Sequence, residues 1–111
     1  MHKQLVQEIF TIYLRHGWVL RRVLISPEVF SSVDDETKAL FGDAKIIESD
    51  LNALWFARPS HYGREAWELR LLSEQPYALF EAFAADKTEE EREDARRQME
   101  ARLREHASDR S

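Results

Sequence analysis

Arg58, His61, Tyr62 and Arg64 crowd into the middle of "ALWFARPSHYGREAWELRLL", residues 53 to 72. Arg offers a two-pronged fork of N–H donors, and His and Tyr add single donors, so the four could together hold an anion or a carboxylate. They are the candidate ligand-binding residues. A plainer explanation competes: Pro59 and Gly63 mark a loop, and loops gather polar side chains whether or not they bind anything.

Catalysis finds less support. Ser60 and His61 are adjacent, but adjacency does not set a nucleophile against its base. The sequence contains no Gly-x-Ser-x-Gly, no glycine-rich phosphate loop and no His-Glu-x-x-His. Asp50, Glu65 and Glu68 are carboxylates of the kind that metal-dependent nucleases cluster. However, Glu68-Leu69-Arg70 puts Arg where those enzymes carry Lys, and Arg does not give up its proton. His2, His16, His61 and His106 are too scattered to suggest a metal site by spacing. No catalytic residue, metal ligand or cofactor is assigned, and a non-catalytic protein is expected.

Composition narrows the class. A chain of 111 residues is expected to form one domain, and 43% hydrophobic with 33% charged residues describes a folded, soluble chain. The absence of Cys excludes disulfides, thiolate nucleophiles and cysteine-ligated zinc, and fits a cytoplasmic location. Residues 1 to 10 lack the unbroken apolar core of a signal peptide, and no later run approaches the roughly 18 apolar residues that a membrane span needs. Net charge is −5, and the excess of acids over bases is greatest between residues 27 and 85, eleven against five. Such a surface repels phosphate backbones, so nucleic acid is not expected as a partner. A basic patch at Arg15, Arg21 and Arg22 speaks for it.

The elements that would position these residues follow from periodicity. Leu5, Ile9, Ile12, Tyr13 and His16 recur at helical spacing and Gly17 follows as a C-terminal cap, which predicts a helix over 3–16. "WVLRRVLI", 18 to 25, reads as a strand covered on both sides, with Trp18, Leu20 and Leu24 on one face and Val19, Val23 and Ile25 on the other. Ser26-Pro27-Glu28 starts a short helix, and 34–41, closed by Gly42, makes another with acids at its N-terminal end. Strands are predicted at 44–49, 52–58 and 65–72, with "SDLN" between the first two as a turn or a bulge. Trp55 and Trp67 then form a cross-strand pair in the core.

Pro76 opens a predicted helix, "PYALFEAFAA", that buries Leu79, Phe80 and Phe83. The tail from 86 to 111 carries a capping box at Thr88 and Glu91, side-chain pairs at Glu93/Arg97 and Glu100/Arg104, and a thin stripe of Ala95, Met99 and Leu103. So narrow a stripe packs on the body, pairs with a partner, or frays.

The expected fold is α+β and two-layered, an antiparallel sheet of three to four strands packed against helices, with a charged C-terminal helix. Residues 1–86 would form the compact domain and 87–111 its helix or tail. The element order resembles the outline of a winged helix, but the would-be recognition helix, "DDETKALF", carries three acids that phosphates repel. The expected function is a small interaction or regulatory module, forming a homodimer or binding another protein. The alternatives are a domain or small enzyme using the loop at 58–65 for an anionic ligand, and a winged-helix-like DNA-binding protein.

Overall fold

The computed structural model describes residues 3–109; His2, named above, and the last two residues of the tail lie outside them. Helix α1 (Lys3–Arg15) turns Val6, Ile9 and Phe10 inward and half-buries Leu5 and Tyr13, so its buried face is centred beside the expected stripe and leaves Ile12 and His16 exposed; Gly17 at φ 83° ends it. Strand β1 (Val19–Ile25) follows. Ser26 then caps α2 (Pro27–Ser32) by accepting the Val29 N–H at 3.3 Å, and Asp34 caps α3 (Asp35–Phe41) by accepting the Thr37 N–H at 2.8 Å.

The pair α2 and α3 forms a crossover, so β2 (Lys45–Glu48) runs parallel to β1. Residues 49–52 step over the end of β1. Ser49 donates its N–H to the Ile25 carbonyl, and Asn52 Oδ1 accepts the Ser26 N–H, both at 3.1 Å, while Leu51 is buried. "SDLN" is therefore a turn between two strands that are not neighbours. β3 (Ala53–Pro59), a single 3-10 turn (His61–Gly63), β4 (Glu65–Leu71), β5 (Ala78–Phe83) and α4 (Glu89–Asp109) complete the chain.

The strands form one mixed sheet in the order β2-β1-β3-β4-β5. The α+β class holds, with three corrections. The sheet has five strands rather than three or four, and the β1/β2 pair makes it mixed instead of antiparallel. Helices also cover both faces instead of one: α1 to α3 pack on Val23, Ile25, Leu54 and Phe56, while Met99 and Leu103 of α4 pack on Trp55, Trp67, Leu69 and Phe83.

The fifth strand lies where a helix is expected. Leu79, Phe80 and Phe83 suit a helical stripe, and although Leu79 and Phe83 also share one face of a strand, Glu81 between them on that face interrupts the period-two pattern. Pairing with the free edge of β4 satisfies main-chain groups that a short helix would leave open at its ends. A second departure lies in β1. Its register to β3 shifts between Leu20 and Arg22, and this irregularity moves Trp18 and Leu20 to the α1 side with Val23 and Ile25, leaving Leu24 on the α4 face.

Charge pairing in α4 also differs from expectation. Glu93 pairs with Arg22 and Arg96 rather than Arg97, and Glu100 accepts the Trp55 indole N–H at 3.0 Å rather than facing Arg104, which reaches Asp50. Exposed i to i+4 pairs contribute a few tenths of a kcal/mol, so better-placed partners on the sheet displace them. The Thr88/Glu91 capping box forms in both directions at 3.1 Å.

Candidate functional site

The polar loop is built by the β3–β4 hairpin. Ser60 donates to the Arg64 carbonyl at 2.8 Å, and the turn is closed by Tyr62 at φ 60° and Gly63 at φ 73°. That left-handed pair aims the Tyr62 ring into water, leaving it 94% exposed. His61 and Arg64 are exposed as well.

Arg58 behaves differently. Its Nη1 donates to the His16 carbonyl at the end of α1, and its guanidinium lies 4.4 Å from the centre of the Trp18 ring. Packing therefore already occupies part of its fork. An open depression of about 510 Å³ is lined by His16, Gly17, Arg58, Pro59, Ser60 and His61. The structure thus brings Arg58 and His61 to one hollow, adds His16, and leaves Tyr62 and Arg64 out of its lining.

The acids are dispersed among structural tasks. Asp50 accepts from Arg104 Nε at 2.9 Å, Glu65 accepts from the Trp67 indole at 2.5 Å and from Arg92 at 3.2 Å, and Glu68 accepts from the Tyr13 hydroxyl. Burial, with Glu68 beside it, pushes that hydroxyl above the ordinary tyrosine range. Among the described residues no group of three or more His, Asp or Glu side chains could hold a metal ion. The basic patch loses one of its three members, since both terminal nitrogens of Arg22 bind the Glu93 carboxylate at 2.8 and 2.9 Å, while Arg15 and Arg21 are exposed.

The most concentrated electrostatics lie between α4 and the sheet. Arg96 is 1% exposed, its guanidinium 4.0 Å from the centre of the Trp67 ring and 2.7 Å from Glu89. Glu93 bridges Arg96, at 3.3 Å, to Arg22. The Arg22 fork, helped by Arg96, holds the Glu93 carboxyl down at about 2. Closed against the sheet, this cluster fastens α4 in place.

Another departure from an ordinary surface is β5. It ends the sheet, and its Phe80 is 57% exposed, touching the Trp18 ring edge-on at 6.4 Å between centroids. The spacing of Leu79, Phe80 and Phe83 hid this feature, and the sequence carries no clean strand signal there, because Glu81 shares a face with Leu79 and Phe83. An α+β sheet with an open apolar edge and a polar hairpin tip is the class these features define. No protein-family model matches the chain, and no curated protein or solved structure matches it either.

Proposed function

We propose that the protein is a small non-catalytic interaction module of the cytoplasm that associates with a second copy of itself or with another protein. The observation that carries this reading is β5, an edge strand whose outward ring, Phe80, meets water beside Trp18. Edge strands left open invite another strand. Charge directs the module toward proteins and away from nucleic acid, because a net −5 repels phosphates and Arg22 is already paired. Among the described residues no helix is long and apolar enough to cross a membrane.

Light scattering over a micromolar to near-millimolar concentration series tests the self-association. The weight-average mass should rise above the 13.1 kDa of one chain. A mass fixed at one chain throughout refutes it. The hollow beside Arg58 and His61 supports a second reading, an anionic ligand held at the hairpin. Anionic metabolites should then raise the melting temperature of the wild type but not of Arg58→Ala or His61→Ala; equal shifts in all three chains dismiss the site.

A further inference from the structure

We propose that two copies of the chain pair antiparallel along β5 around a two-fold axis through Phe80, joining two five-stranded sheets into one; this rests on the self-association reading above. The direction of the free hydrogen-bonding groups sets the geometry. Leu71 donates its N–H to the Tyr77 carbonyl, so in the β4/β5 register Leu79, Glu81 and Phe83 spend their main-chain groups on β4. Ala78, Phe80 and Ala82 therefore point theirs outward. In the symmetric pair Phe80 opposes the partner's Phe80, and Ala78 opposes the partner's Ala82, each pair exchanging two main-chain bonds.

Charge and donor chemistry select this register over its neighbours. A slip of one step toward the C-terminus sets Glu81 directly against the partner's Glu81, with like charges opposed. The opposite slip sets Ala82 against the partner's Pro76, which has no N–H to donate. In the favoured register Glu81 lies beside the partner's Leu79. The chain also guards its two edges unequally. β2 is four residues long with Lys45 and Glu48 at its ends, whereas β5 has no Lys, no Pro and no register shift.

The surface is modest. One strand edge with a half-exposed Phe falls short of the about 800 Å² per partner of a standard interface, so a weak, concentration-dependent dimer is expected.

Because the chain has no native Cys, single introduced thiols report the register directly. Directly opposed hydrogen-bonded residues have Cα atoms about 5.5 Å apart, within disulfide range. Under mild oxidation Phe80→Cys should give a covalent dimer. Ala78→Cys and Ala82→Cys should each stay single alone and cross-link when mixed. In light scattering Phe80→Lys should return to one-chain mass at concentrations where the wild type is dimeric.

Far-UV circular dichroism checks that each exposed substitution leaves the fold intact. A wild type that dimerises while Phe80→Lys dimerises equally and Phe80→Cys does not cross-link overturns the strand pairing but not self-association. A wild type of one-chain mass throughout overturns both. Cross-linking of Ala78→Cys alone as fast as Phe80→Cys overturns the register.

Discussion

Replacing Glu93 with Gln removes the charge between Arg22 and Arg96 while keeping the side chain's shape. In the folded chain the Glu93 carboxyl is held at about 2 against an ordinary 4.5, chiefly by the Arg22 fork. The folded value is depressed, so the stabilisation is full above pH 4.5 and drains away as pH falls through 4.5 toward 2. That displacement caps the contribution at about 3 kcal/mol, and solvent screening of a side chain one-third exposed brings it to about 1–2 kcal/mol.

Gln stands in for the protonated acid, so Glu93→Gln should lose about 1–2 kcal/mol at pH 7 and less than half of that at pH 3. Urea unfolding of both chains at the two pH values reads the difference, with tryptophan fluorescence as probe because Trp67 lies against Arg22 and Arg96. A melting temperature lower by about 4–8 °C per kcal/mol should accompany it at pH 7. A loss below about 0.3 kcal/mol at pH 7 would refute the reasoning, and so would an equal loss at both pH values.

Trp55 is fully buried with its indole N–H on Glu100, so Trp55→Ala should cost about 3–5 kcal/mol in denaturant titration; a cost under about 1 kcal/mol would place the ring at a surface. Arg58→Ala should cost about 1–2 kcal/mol with no ligand present, since it opens the end of α1 and uncovers Trp18; an unchanged urea midpoint would mean that the side chain serves binding alone. Tyr62→Gly should stabilise by about 0.5–1 kcal/mol by relieving a left-handed residue whose ring touches mostly water, and a melting temperature below that of the wild type would count against this account.

Short-range signals were the legible part of this sequence. Gly17, Ser26, Asp34 and the Thr88/Glu91 pair mark element ends by side-chain chemistry that acts within four residues, and the elements stand close to where those signals place them. The tryptophans were legible too: Trp55 and Trp67 sit diagonally across β3 and β4 with rings 5.8 Å apart. What depends on distant partners was not legible. Nothing near Arg22 in sequence announces Glu93, and nothing near Arg58 announces the His16 carbonyl, so both arginines look free until the fold spends them. The hairpin loop shows the same limit, since of its four donors close in sequence only Arg58 and His61 line the hollow.

The strand that replaces the expected helix at 76–85 and the exposed Phe80 have one cause. On a helix, Leu79, Phe80 and Phe83 would share a buried face; on a strand, Leu79 and Phe83 point toward α4 while Phe80 lies on the opposite side beside Trp18, half-exposed. The two phenylalanines should therefore respond oppositely to the same change. Phe83 is fully buried, so Phe83→Ser strips a ring from the core, leaves a hydroxyl there, and should cost more than about 3 kcal/mol. Phe80 keeps over half its surface in water, so Phe80→Ser should cost less than about 1 kcal/mol when measured dilute enough to exclude association. Equal losses would mean that the residues share one environment, as the helix requires, and β5 as described would be wrong.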